Sequence, residues 1–145
     1  MSGTPRILTV FPPNFAEINR AFKTHDREVI YAFGDTIYNP RRIKIPPYLI
    51  AHERVHLGRQ LVFDGGAPEW WRRYIDDPKF RLDEELPAHI AEYQQICSVA
   101  ADAPAVMAKA LDRIATRLAS PLYGNLVGVA EAKERIAYAG KVAAR

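Results

Sequence analysis

Proline and glycine cut the rear of this chain into pieces of helical length. Pro46-Pro47, Asp64-Gly65-Gly66, Asp77-Pro78, Asp102 with Pro104, and Ser120-Pro121 with Gly124 mark the boundaries. Proline lacks the amide donor that a helix interior needs, so it fits a first turn, where donors have no partner anyway. The first piece, from Pro46-Pro47 to about Phe63, is expected to be one long helix. A short helix over PEWWRRYID follows, opened by Pro68. A third covers roughly 83–101, with Pro87 offering a later start. A fourth runs from Asp102 and Pro104 to about Ala119, and a last one passes through VAEAKERIAYAGKVAA.

The front of the chain reads differently. ILTVF (7–11) is expected to be a short strand stopped by Pro12-Pro13. Asn14 can cap a helix over FAEINRAF, where Phe15, Ile18 and Phe22 share a face. In EVIYAFGDTIYNP, β-branched and aromatic residues flank Gly34-Asp35, the clearest hairpin signal in the sequence. Ile43-Lys44-Ile45 alternates as a brief edge strand would. The expected fold is α+β and helix-dominated: a small N-terminal antiparallel sheet or hairpin packed on a helical body, in one domain spanning 1–145.

Composition narrows the class. Of 145 residues, 48% are hydrophobic and 26% charged, the balance of a globular chain and not a disordered one. No apolar run approaches the roughly 18–20 residues that span a bilayer. MSGTPRILTVFPPNF has no signal-peptide pattern, so a cytoplasmic location is expected. Cys97 is the only cysteine, which excludes an internal disulfide and a thiolate-rich metal site; in YQQICSVA it reads as a small core residue. The net charge of +3, with Arg41-Arg42 and Arg72-Arg73 only as local pairs, gives no sign of specific nucleic-acid binding.

Within the first long helix lies AHERVH, residues 51–56. Residues four apart stack on one helical face, so His52 and His56 can offer nitrogens to a single point. Zinc accepts imidazole nitrogens at about 2.0–2.1 Å and in catalytic sites keeps one position open. Glu53 lies about 100° round the helix from His52, beside the metal instead of on it. There it can take a proton from a water that zinc has made acidic, the logic of H-E-x-x-H.

Two histidines do not close such a site. His25, in AFKTHDREV, sits among charged residues and is expected to be exposed. The segment RLDEELPAHIAEYQ is the better source. Glu85, His89 and Glu92, spaced by four and three, share one helical face. Glu84 and Glu92 rival Glu85 as the third ligand, and His89 suits orienting a ligand. Arg54 and Arg59 flank the motif and are placed to pair with these acids. Of Trp70 and Trp71, neighbours that point apart on a helix, one is expected in the core and one partly exposed. Tyr93 is a candidate donor to a developing oxyanion, against core packing.

HERVH followed by EWWRRYIDDPKFRLDEELPAHIAEYQ resembles the small gluzincin branch of the zincin metallopeptidases, in particular compact zincin-like peptidases of phage and prophage gene sets. The resemblance covers about residues 28–97, leaving 103–145 as C-terminal helices. It implies zinc ligands at His52, His56 and Glu85, since Glu85-Leu-Pro-Ala88 fits an E-x-x-A pattern, with Glu53 as general base. It also implies a zinc-dependent peptidase whose substrate lies extended along the strand before the motif helix. Two alternatives stand beside it: a catalytically inactive zincin-like structural or interaction protein, such as a phage particle component, and a regulatory protease cutting a single partner.

Overall fold

A computed structural model describes residues 3–143. The order of elements is β1 (Arg6–Leu8), α1 (Phe15–Phe22), β2 (Tyr31–Phe33), β3 (Thr36–Tyr38), α2 (Pro47–Val62), α3 (Gly66–Asp76), α4 (Pro78–Val99), α5 (Pro104–Leu118), a 3₁₀ turn (Pro121–Tyr123) and α6 (Val129–Ala143). The fold is helix-dominated α+β with a three-stranded sheet. Among the described residues, no helix is long and apolar enough to cross a membrane.

The hairpin forms at the Gly34-Asp35 turn. Gly34 adopts φ +69 while Asp35 stays at negative φ, the pattern of a two-residue turn with glycine in first place. β2 and β3 pair antiparallel, with Tyr31 opposite Tyr38; β1 joins β3 in parallel, giving a mixed sheet of order β1-β3-β2. β1 is shorter than ILTVF suggests, and its Val10 and Phe11 continue exposed beyond it. Ile43–Ile45 is not a strand. The Asn39 side chain engages both the amide and the carbonyl of Ile43, which takes this segment out of any ladder. Asn14 stands at the start of α1 without making a side-chain capping bond.

α2 begins and ends where its punctuation requires, with Pro46 at the N-cap position and positive φ at Gly65 and Gly66. α4 starts earlier than expected. The Asp77 side chain accepts from the amides of Lys79 and Phe80, and Pro78 occupies the first turn. Pro87 therefore lies inside the helix. The carbonyl it leaves without an amide partner belongs to Asp83, an exposed residue that water can reach.

Three apolar clusters surround the α2–α4 contact. Ile114, Leu118, Ile136 and small alanines knit α4, α5 and α6. Ile18, Tyr31, Trp70, Trp71 and Tyr74 join α1, the hairpin and α3. Ala32, Ile37 and Leu57 fasten the hairpin to α2. Gln60 reinforces that last joint, donating to the Ala32 carbonyl (2.9 Å) and accepting from the Gly34 amide (2.8 Å). Both tryptophans are buried, Trp71 by donating its indole N–H to the same Ala32 carbonyl at 2.9 Å.

Leu57 is fully buried one residue past His56. Leu57→Ala should destabilise the chain by about 2–5 kcal/mol, read from the midpoint of urea unfolding. A cost below about 1 kcal/mol would contradict this packing.

Candidate metal centre

α2 and α4 face each other through side chains that rarely share an interior. α2 buries His52, Glu53, His56, Leu57 and Gln60, and α4 buries Arg81, Glu84, Glu85, Ala88, His89 and Glu92. Three of their atoms converge. His52 Nε2 lies 3.2 Å from His56 Nε2. Glu85 Oε2 lies 3.4 Å from the first and 3.3 Å from the second. Ligands on a tetrahedral ion with bonds near 2.0–2.1 Å stand about 3.3–3.4 Å apart, so this triangle has the dimensions of a metal-binding face. Glu85 Oε2 is buried without a hydrogen-bond partner, as a lone pair reserved for a cation would be.

The surrounding contacts orient the three donors. His52 Nδ1 bonds Glu92 Oε1 at 3.0 Å, which leaves Nε2 turned to the centre. Glu92 in turn accepts from Arg117 on α5. The Tyr74 hydroxyl donates to Glu85 Oε1 at 2.7 Å, so only the other carboxylate oxygen faces the imidazoles. Ala88 is fully buried one turn below Glu85, where its small side chain admits the neighbouring helix.

The structure separates the rivals. Glu84 is buried but committed elsewhere, accepting from Trp70 Nε1 at 2.5 Å and Arg59 Nε at 2.6 Å. Glu92 stands behind His52, not beside the triangle. His52, Glu85 and His89 also lie close enough to share an ion. However, His89 Nδ1 is engaged by the Glu85 main-chain carbonyl at 2.7 Å, and we take the tighter His52–His56–Glu85 set as the donor group. His25 is exposed and paired with Asp26. Arg59 meets an acid of the cluster, whereas Arg54 reaches the Gly3 carbonyl. Tyr93 is not brought to the site; it packs on the α4–α5–α6 core and faces Gly140.

Glu53 is 7% exposed and, among the described residues, has no hydrogen-bond partner. Burial raises its carboxyl above the ordinary value, although His52 and His56 pull the other way. Its side chain borders two cavities, of about 80 and about 110 Å³. The first is walled by aromatic residues including Phe22, Trp70 and Trp71, the second by Ile30, Leu49 and Arg117. His52, Leu122 and Tyr123 line both. Tyr123, Tyr74 and Arg117 escaped the sequence reading. They lie outside AHERVH and its acidic partner segment, and no spacing rule links them to either.

Burial alone would lower His52, but the Glu85 and Glu92 carboxylates beside it prevail and push it up to about 10. Burial would raise Glu85, yet His56 and His52 hold it well below 4.5. His89 is driven down to about 3 by burial and by the charge of His52, and so stays neutral. In the metal-free protein a proton on His52 thus stands in for a cation.

Comparison with family models, with curated proteins and with solved structures finds no match to this chain.

A pH window follows from these signs. Glu85 contributes stability above 4.5 and loses it as pH falls towards its depressed value. His52 contributes fully below 6.5 and loses that share as pH climbs through about 10. His89, held neutral in the fold down to about 3, costs stability as pH falls below 6.5, so metal-free protein should melt highest near pH 6.5 and at lower temperatures on either side. A divalent ion held by this set would have to displace the His52 proton, so any stabilising effect should grow towards alkaline pH. Melting curves across the series, with and without metal, check both; a metal-free melting temperature flat up to pH 10 would contradict them.

Proposed function

We propose that this chain is a zinc-dependent metallopeptidase, with His52, His56 and Glu85 as ligands and Glu53 as general base. The observation that carries the reading is the triangle of donor atoms with 3.2–3.4 Å edges beside a buried, unpaired carboxylate. A purely structural ion has no use for that carboxylate, and His89 Nδ1, 3.6 Å from Glu85 Oε2, is engaged by a main-chain carbonyl instead of closing the shell. Two imidazoles and one carboxylate suit zinc and leave a position for water.

Bound there, zinc supplies a Lewis acid that polarises a peptide carbonyl and makes water acidic. The residues of the chain then divide the work. Glu53, its carboxyl raised by burial, accepts the proton of the attacking water and returns it to the leaving nitrogen. Glu92 keeps the His52 ring turned with Nε2 inward. Tyr123 borders both cavities, and its phenol is kept protonated by burial and by the charges of Glu85, Glu53 and Glu92. It takes the role that Tyr93 cannot, donating to the oxygen on which negative charge develops.

An extended peptide is the substrate this arrangement suits. Val29 and Ile30, which lead into β2 at the free side of the sheet, border both cavities. They replace Ile43–Ile45 as the backbone along which a peptide would run.

Glu53→Gln should keep one zinc per chain and lose hydrolysis of casein or a casein-derived peptide by at least about a hundredfold. Tyr123→Phe should lower kcat by about a hundredfold with little change in KM. Metal analysis alongside chelator-sensitive cleavage decides the reading. Wild-type protein that binds zinc and cuts nothing would refute the peptidase, and a fully active Glu53→Gln would refute the base.

A further inference from the structure

Arg81 carries a charge into the interior on neutral partners. The residue is 6% exposed, and all its hydrogen bonds go to main-chain carbonyls. Its Nε donates to Tyr74 (2.9 Å), its Nη2 to Ile75 (2.9 Å) and its Nη1 to Tyr123 (2.8 Å). Tyr74 and Ile75 belong to the last turn of α3, where carbonyls lack helical partners and the helix dipole is negative. The Phe22 and Tyr74 rings cover the guanidinium at 4.8 and 5.7 Å. A buried cation is thus made tolerable by three fixed acceptors and two ring faces.

The two ends it joins carry Tyr74 and Tyr123, which line the same cavity as His52, His56 and Glu85. Tyr74 bonds Glu85, and Tyr123 sets its ring edge-on to His89 with centroids 5.4 Å apart. The 3₁₀ turn bearing Tyr123 is only three residues long, and none of its residues is fully buried as a whole. Apolar burial therefore does little to fix it. At Gly124 the chain passes so close to the clip that a Cβ would meet Arg81 Nη1 at 2.9 Å, and φ there is +98. Glycine is needed for the turn to dock.

We propose that Arg81 is a positioning residue: by bonding the Tyr123 and α3 carbonyls together it holds the Tyr123 phenol at the metal centre. The catalytic part of this inference rests on the peptidase reading, and the clip itself does not. Only an arginine can do this at position 81. Its planar fork serves three carbonyls at once, whereas the lysine ammonium ends on a single point.

The test compares zinc-loaded wild type, Arg81→Gln, Arg81→Lys, Gly124→Ala, Tyr123→Phe and the double variant Arg81→Gln/Tyr123→Phe. Hydrogen exchange comes first, because it needs no turnover. The Gly124 and Asn125 amides, bonded to Pro121 and Ser120, should exchange at least about tenfold faster in Arg81→Gln and Gly124→Ala, while α2 amides stay protected. Unchanged exchange at these amides in both variants overturns the clip. On a fluorogenic casein-derived peptide, Arg81→Gln should lose kcat about as much as Tyr123→Phe, with KM little altered. The double variant should be no slower than Tyr123→Phe alone, because both changes remove one interaction. Arg81→Lys should recover only part of the loss. Full kcat in Arg81→Gln, or losses that multiply in the double variant, overturns the positioning role. If wild type cleaves nothing, the peptidase reading fails while the exchange data still judge the clip.

Discussion

The contact between α2 and α4 is built from charge, and the rest of the molecule is arranged to make that tolerable. Across it only Leu57 and Ala88 are apolar among the buried residues. A buried charge is costly without a partner. Each acid on α4 has one: Glu84 holds Arg59 and Trp70, Glu85 faces both imidazoles and Tyr74, and Glu92 holds His52 and Arg117. Hydrophobic clusters on either side supply the burial that this seam lacks. Well-packed apolar side chains in the same place would be expected to match or exceed its stability. Under the proposed function, the arrangement serves chemistry at the cost of stability.

Much of this was legible in the sequence, because it depends on local spacing. Proline at one end and glycine at the other delimit α2, and the four-residue spacing within AHERVH puts two nitrogens 3.2 Å apart. The shared face of Glu85, His89 and Glu92 was visible too, and all three are buried against α2. Spacing alone did not say which of them turns an oxygen to the imidazoles; the E-x-x-A pattern pointed to Glu85, which does so. That depends on α4 starting at Pro78 and running through Pro87, so that Glu85 is in mid-helix. Proline inside a pattern signals a boundary unless the carbonyl it strands can reach water, and exposure is a property of the fold.

What stayed hidden comes from the tertiary arrangement. Tyr123, Arg117 and Arg81 stand on a turn, on α5 and on the first turn of α4, and each is tied to the cluster through a main-chain carbonyl or a second carboxylate. Seven tyrosines offered no basis for choosing Tyr123 over Tyr93. Ile43–Ile45 alternates like a strand but finds its polar partner in Asn39. One of Trp70 and Trp71 was expected to be partly exposed, yet both are buried, and the Ala32 carbonyl draws the Trp71 indole inward.

X-ray absorption at the zinc edge, combined with anomalous diffraction from crystals of the zinc-loaded chain, tests the central claim most directly. The account predicts one ion per chain, about 2.0–2.1 Å from His52 Nε2, His56 Nε2 and Glu85 Oε2, with a water-sized oxygen in the remaining position. An ion ligated by His89 in place of His56, or a purified chain that takes up no zinc, would contradict it.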